Sequence, residues 1–260
     1  MTHVPRKRFG QHFLCDQTII RQIIASLAPE PHEHLIEIGP GQGALTLPIL
    51  KQVQQLEVVE LDRDLIPELE ERTQRAGKLK IYAADALTFD FASIKTDERL
   101  LRIFGNLPYN ISTPLIFHLL TFAPVVADML FMLQKEVAER IAAVPSTSDY
   151  GRLSVMVQYH CEVDVLFDVP PHAFYPPPQV QSSIIRLIPY QAYPHRAANY
   201  ALFEAIVKQA FSQRRKTLRN SLKNLVSDDV WARSQLSSHL RAENLSVADF
   251  VAISNAMEKV

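Results

Sequence analysis

The sequence predicts a doubly wound α/β fold with a small helical domain at its C-terminal end, on three observations. Five apolar runs recur with helical stretches between them, at residues 34–39, 56–61, 79–84, 101–104 and 129–133. The first run opens into a glycine-rich turn, Gly39-Pro40-Gly41-Gln42-Gly43. Beyond residues 190–199 the apolar period is helical to the end of the chain.

Val, Ile, Leu and Phe dominate the runs without clean alternation, as expected for strands buried on both faces of a parallel sheet. Strand and helix in alternation imply right-handed βαβ units. Two later apolar segments, 163–169 and 183–188, are bounded by proline-rich sequence and read as a closing pair of strands. Residues 145–151 form a polar loop. Pro189, Pro194 and their polar neighbours mark a boundary, which divides the chain into domains of residues 1–192 and 193–260. In the second domain Ser246, with Asp249 three residues on, carries the capping signal of a last helix.

With 47% hydrophobic and 21% charged residues, the 260-residue chain buries a substantial core and is not a disordered segment. Cys15 and Cys161 lack paired spacing, which argues against a disulfide framework and a zinc site. They read as reduced thiols of a cytoplasmic protein. Arg6, Lys7 and Arg8 make the N-terminal region basic, but Gln11, His12 and Asp16 break up the stretch beyond them, so a secretory signal is not expected. No run has the length needed to cross a bilayer. The net charge of −1 hides a division: residues 1–188 carry 17 Lys+Arg against 22 Asp+Glu, and residues 189–260 carry 10 against 6. Such asymmetry points to a polyanionic partner, although small helical domains often lean basic.

Asn106-Leu107-Pro108-Tyr109 comes directly after the fourth apolar run. The grouping suits transfer of a methyl group to an exocyclic base nitrogen. Such an amine is a poor nucleophile because its lone pair is delocalised into the ring. Acceptors for its hydrogens favour the pyramidal nitrogen that attacks. Asn106 offers a side-chain carbonyl, and the Leu107-Pro108 step offers backbone carbonyls stiffened by the proline. Tyr109 supplies a flat face for a flipped-out base. A strand-ending turn is the plain alternative, since Asn and Pro both favour turns. Phe174 opens Phe174-Tyr175-Pro176-Pro177-Pro178, whose prolines hold the backbone extended. It reads either as a second aromatic face opposite Tyr109 or as ordinary core.

The glycine turn allows tight backbone angles and lets a ligand approach the main chain closely. Its spacing, Gly39-x-Gly41-x-Gly43, is not that of a dinucleotide site. Glu60 ends the second run, where a carboxylate can accept both hydroxyls of a ribose. Asp85 comes just past the third, placed to meet the exocyclic amine of an adenine. Together they match an adenosine without phosphates, and no Gly-Lys-Ser/Thr cradle is present to favour ATP. Helix caps or solvated strand ends would explain either acid alone.

These residues sit within longer segments: KRFGQHFL (7–14), EIGPGQGALT (37–46), ELDRD (60–64), FGNLPYNISTPL (104–115), FMLQKEV (131–137), YGRLSV (150–155), PPPQV (176–180), QRRKTLRNSL (213–222) and RAENLSV (241–247). On them the chain resembles the family of small-subunit ribosomal RNA adenine dimethyltransferases, over nearly its whole length. The resemblance implies a class I, Rossmann-like methyltransferase domain using S-adenosyl-L-methionine, together with a small all-α RNA-recognition domain. It implies dimethylation of two adjacent adenosines near the 3′ end of 16S rRNA, in the small ribosomal subunit or its precursor, as a step of ribosome biogenesis. A cytoplasmic monomer needing neither metal nor membrane is expected. Carried over by position, the cofactor contacts are His12, Leu14, Gly39, Glu60, Asp85 and Asn106, with Gly41 added from the turn. Two positions depart from the family pattern. His12 stands where many relatives have Asn, and a neutral imidazole still hydrogen-bonds; Gln181 stands where relatives carry Asp.

For the RNA, Lys216, Arg219 and Lys223 fall at i, i+3 and i+7 of a helix expected near 212–226, which would put them on one face. Phe211, Leu218, Leu222 and Leu225 would pack its other side. Arg214 and Arg215 flank the stripe, and the Arg6-Lys7-Arg8 arm joins the same surface. A solvated face is the alternative reading of the charge run. Three rival functions remain, one of them a DNA adenine methyltransferase, which shares the Asn-x-Pro-aromatic logic but would need a base-reading domain that residues 189–260 could not easily provide. The large-subunit rRNA dimethyltransferases are disfavoured by QRRKTLRNSL and RAENLSV, and a binding module without activity is disfavoured by intact Glu60, Asp85, Asn106 and Tyr109.

Overall fold

The computed structural model describes residues 12–258, so Arg6, Lys7 and Arg8 lie outside the described residues. In chain order the elements are β1 (Phe13–Leu14), α1 (Gln17–Leu27), β2 (His34–Ile38), α2 (Thr46–Val53), β3 (Gln55–Glu60), α3 (Ile66–Thr73), β4 (Lys78–Ala83), β5 (Leu101–Asn106), α4 (Ser112–Leu120) and β6 (Val126–Gln134). Next come α5 (Lys135–Ala142), α6 (Arg152–His160), β7 (Cys161–Val169), β8 (Phe174–Tyr175), β9 (Ser182–Pro189), α7 (Tyr200–Ala210), α8 (Leu218–Ser221), α9 (Asp228–Ser234) and α10 (Val247–Glu258). The chain falls into two compact units, residues 12–138 with 164–189, and residues 139–163 with 190–258.

The first unit is built on a seven-stranded sheet of order β4-β3-β2-β5-β6-β9-β7. All five apolar runs are strands in it, and their pairings are parallel. β9 joins β6 antiparallel, as one of the expected closing strands. Every residue of β2 is buried, which explains its unbroken apolar reading. The Asp16 carboxylate caps α1, accepting from the Thr18 and Ile19 amides at 2.7 and 3.2 Å. From β2 the chain winds outward through β3 to β4, then returns to the other side of β2 as β5. In an open α/β sheet a ligand crevice lies where the order reverses, beyond the strands' carboxyl ends. Here that is between β2 and β5. Gly105 permits the close approach there, for a Cβ on it would stand 2.3 Å from the Ile38 carbonyl oxygen.

The second unit is helical. The expected cut after residue 192 differs from it in one respect, because residues 139–163 pack with the C-terminal helices. Tyr150 is fully buried there and donates its hydroxyl to the Leu245 carbonyl at 2.8 Å. Arg152 pairs with Glu204 of α7 at 3.0 Å. This excursion carries no proline or glycine boundary of the strength found near 190, so composition does not reveal it. The Ser246/Asp249 signal is realised as a reciprocal cap of α10: the Ser246 amide donates to Asp249 at 2.8 Å, and the Asp249 amide to Ser246 Oγ at 3.2 Å.

The helix expected over 212–226 is not continuous, which corrects the basic stripe. α7 ends in a 3-10 turn at Phe211–Gln213, Lys216 lies in a bend, and only Leu218–Ser221 is helical. The cause is a competing pairing. Thr217 bridges Arg241, while the Leu218 and Arg219 amides donate to the carbonyls of Leu240 and Ser238 at 2.7 and 2.9 Å. Thr217 is therefore extended, with ψ at 159°, and the helical phase between Lys216, Arg219 and Lys223 is lost. No helix among the described residues is long and apolar enough to cross a membrane.

Candidate active site

A cavity of about 310 Å³ lies at the carboxyl ends of β2, β3, β4 and β5, within the range of small-molecule sites. It is lined by His12, Leu14, Gly39, Gly41, Glu60, Asp85, Asn106 and Tyr109, so every residue expected to touch the cofactor is brought to one place.

The glycine turn forms the floor. Gly41 has φ +55°, a left-handed conformation, and a Cβ added there would press on the Phe13 ring at 3.2 Å. Its amide donates to Glu60 Oε2 at 3.2 Å, while Glu60 Oε1 accepts from the Asp62 amide at 2.8 Å. Burial raises the Glu60 carboxyl above its ordinary range, and these backbone donors oppose that rise. Asp85 is half-buried just past β4 and accepts from the Leu87 amide at 2.9 Å through Oδ1, leaving its other oxygen for a ligand.

Glu37 is an acid that motif and spacing did not single out. It is 2% exposed on β2 and accepts from Thr46 Oγ1 at 2.6 Å. Burial pushes it up to about 8, against the Thr46 hydrogen bond and with help from the negative charge of Glu60. A carboxylate inside a strand buried on both faces was a signal in itself, because a buried charge must be neutralised or paired.

The N-terminal segment is sewn onto the site by antiparallel pairing of β1 with β8, Leu14 opposite Phe174. His12 Nδ1 donates to the Pro176 carbonyl at 2.8 Å, since a carbonyl only accepts. The His12 carbonyl in turn accepts from Asn106 Nδ2 at 3.1 Å. That bond fixes the Asn106 amide and leaves Oδ1 as its free acceptor. In the turn beyond it the Pro108 carbonyl accepts from the Ile111 amide at 3.1 Å. The Leu107 carbonyl accepts no hydrogen bond among the described residues. Asn106 Oδ1 and the Leu107 carbonyl are thus the acceptors of this turn that carry no hydrogen bond among the described residues, while the Pro108 carbonyl already carries one.

Tyr109 is half-buried at the cavity wall, and burial raises its phenol pKa. Its hydroxyl pairs with Ser182 Oγ at 2.7 Å, a contact that no sequence motif disclosed. The ring stacked nearest its face is His12, with centroids 5.8 Å apart and planes at 26°. Phe174 does not line the cavity. It is 3% exposed, in the apolar cluster with Leu14, Val169, Ala173 and Ile184.

Gln181, the second departure, is exposed, and its backbone carbonyl accepts from the Lys135 amide at 2.9 Å. In the helical unit Arg214, Arg215, Lys216, Arg219 and Lys223 are all exposed. Arg214 is turned partly to structural use, donating to the Ser148 carbonyl at 2.6 Å, and Arg219 pairs with Asp228 at 3.2 Å. Arg215, Lys216 and Lys223 form no ion pair among the described residues.

The donor set fits S-adenosyl-L-methionine. One carboxylate ends β3 and another stands just past β4, where a ribose and an adenine would be held, and the left-handed glycine turn would admit the ligand against the backbone.

Known proteins share both the sequence and the fold. The sequence profile described as "Ribosomal RNA adenine dimethylase" matches residues 2–259. A "Ribosomal RNA small subunit methyltransferase A" of Pseudomonas savastanoi pv. phaseolicola is 53% identical over 259 residues, covering 99% of this chain and 97% of the relative. The protein of that description from Chromohalobacter salexigens is 54% identical over 257 residues, covering 97% and 91%. Among solved structures, a dimethyladenosine transferase from Plasmodium falciparum superposes with a TM-score of 0.77 at 26% identity, covering 93% of this chain and 96% of that one. The 23S rRNA methyltransferase ErmE shares the fold, with a TM-score of 0.72 at 22% identity over 95% and 100% of the two chains.

Proposed function

The chain belongs to the ribosomal RNA adenine dimethylase family, and from that premise we propose that it dimethylates the exocyclic amines of two adjacent adenosines near the 3′ end of 16S rRNA. The reaction makes it an S-adenosyl-L-methionine-dependent rRNA adenine dimethyltransferase, acting as a cytoplasmic monomer on the small ribosomal subunit or its precursor. The observation that carries this reading is the pinned Asn106 amide, in a cavity that Asn106 and Leu107 line together with Gly41 and Glu60.

When bound, S-adenosyl-L-methionine supplies an electrophilic methyl carbon. Glu60 would hold its ribose, Asp85 its adenine amine, and the Gly39–Gly41 turn its close approach to the backbone. Asn106 Oδ1 and the Leu107 carbonyl accept the two hydrogens of the target amine. This orients the nitrogen lone pair away from them and favours its pyramidal form. Tyr109 stacks on the flipped adenine, and Phe174, paired opposite the cavity-lining Leu14, is the candidate for the second face. Orientation supplies most of the acceleration. The amine proton leaves after attack, when the nitrogen is cationic and acidic. A singly methylated amine still offers one hydrogen to the same acceptors, so the site serves both rounds.

The names of the relatives favour the small-subunit RNA over the large-subunit RNA as substrate. The test is labelled methyl transfer offered to isolated 16S rRNA, an immature small subunit, 23S rRNA and duplex DNA. Label entering dimethyladenosine in one of the first two supports the reading. Label confined to 23S rRNA or to DNA overturns it.

A further inference from the structure

We infer that Ser182 is a positioning residue for methyl transfer: its buried hydroxyl aims the Tyr109 ring, and through that ring the target adenine. The inference rests on the reading of Tyr109 as the stacking face.

Three observations carry it. Ser182 begins β9, opposite Gln134 of β6, and has no exposed surface. Among the described residues its hydroxyl has one partner, the Tyr109 phenol at 2.7 Å. Alanine would fill such a position in an apolar strand without the cost of burying a polar group, so the hydroxyl answers to Tyr109 and not to packing. Tyr109 lines the cavity, and its ring is tethered at Cβ at one end and through its hydroxyl to Ser182 at the other.

A ring held at one end swings about χ1 and twists about χ2. A hydrogen bond at the far end stops the swing. It also resists the twist, because conjugation keeps the phenolic hydrogen in the ring plane. The His12 ring, 5.8 Å away on one face, limits twisting from a second direction. An adenine stacked on Tyr109 inherits the plane so set. That plane decides whether its amine meets Asn106 Oδ1 and the Leu107 carbonyl together. The neighbouring Ser183 faces the other side of the sheet, as successive strand residues do, and donates to Asp168 at 2.7 Å. It supplies a matched control one residue away.

The experiment compares S182A, S182T, S183A, Y109F, Y109A and the double variant S182A/Y109F in steady-state methyl transfer to the RNA substrate. Cofactor calorimetry and melting curves accompany each. S182A and Y109F should each lower kcat about tenfold, the scale of a modest misplacement of reacting groups, with cofactor affinity unchanged. The double variant should be no slower than either single one, S182T should restore the rate, and S183A should keep it. Folded S182A turning over at the wild-type rate, or losses that multiply in the double variant, would overturn the role of Ser182. Wild-type turnover by Y109A would instead overturn the stacking reading beneath it.

Discussion

The Gly41 amide and the Glu60 carboxylate are hydrogen-bonded at 3.2 Å, so the glycine turn after β2 and the acid that ends β3 form one structural unit. Glu60 thus holds the turn, and the proposed function adds a second task, receiving a ribose. Glu60→Ala should therefore weaken S-adenosyl-L-methionine binding by about 1.5–3 kcal/mol, the range for a hydrogen bond to a charged group. RNA affinity should stay nearly intact, since the arginines and lysines proposed for it belong to other segments. Calorimetry with cofactor alone measures this, and unchanged affinity would remove Glu60 from the site.

Most of the first unit was legible because β2, β3, β5 and β6 are largely buried strands whose apolar runs carry no competing signal, while β4, at the sheet edge, is only partly covered. Glu60, Asp85 and Asn106 were legible because each stands at or just past the end of such a run, and strand ends are where this fold places ligands. The failures share a different cause. The stripe of Lys216, Arg219 and Lys223 assumed a local helical period, and pairing of Thr217 with Arg241, 24 residues away in sequence, overrode it. Ser182 and Tyr109 meet across 73 residues, and residues 139–163 join helices that begin near residue 200. Contacts of that range leave no periodic trace in a single sequence. Glu37 is the exception, a buried acid whose neighbours already marked it.

Glu37 makes the stability of the fold depend on pH. Burial raises it from 4.5 to about 8, so the folded protein keeps a proton that the unfolded chain releases above its ordinary pKa. Between those two values the folded state binds more protons, and stability must fall as pH rises. At its steepest the slope is about 1.4 kcal/mol per pH unit. Glu37→Gln keeps an acceptor for Thr46 but has no proton to lose. Urea unfolding at pH 5, 6.5 and 8 should show the variant gaining on the wild type with each step. Parallel pH profiles would mean that Glu37 is already ionised at neutral pH.

Phe174 separates a packing role from a substrate role. Its place in the core cluster means that Phe174→Ala should cost about 3–5 kcal/mol of stability, which would confound any activity measurement. Phe174→Leu retains an apolar side chain and should stay folded. If the ring closes over the target adenine, this variant loses about 1–3 kcal/mol of stacking, seen as slower methyl transfer with cofactor affinity unchanged. Wild-type turnover by folded Phe174→Leu would leave the residue in the core alone.

Arg215, Lys216 and Lys223 test how the helical unit meets RNA. The broken helix removes the geometric stripe, yet the three side chains remain exposed and without ion pairs among the described residues. Arg214 and Arg219 already serve Ser148 and Asp228, so they are poorer choices for neutralisation. If all three contact phosphates, replacing them with Gln should weaken rRNA binding and flatten its dependence on salt. The log–log slope should change by roughly 0.7–0.9 per lost contact, about two units together. Folding should survive, because the buried side of this segment, with Leu218, Leu222 and Val226, is untouched. A salt titration of RNA binding by the triple variant, run beside its melting curve, gives both readings. An unchanged slope in a folded variant would mean that these charges are merely solvated, and that the phosphate contacts lie on other residues.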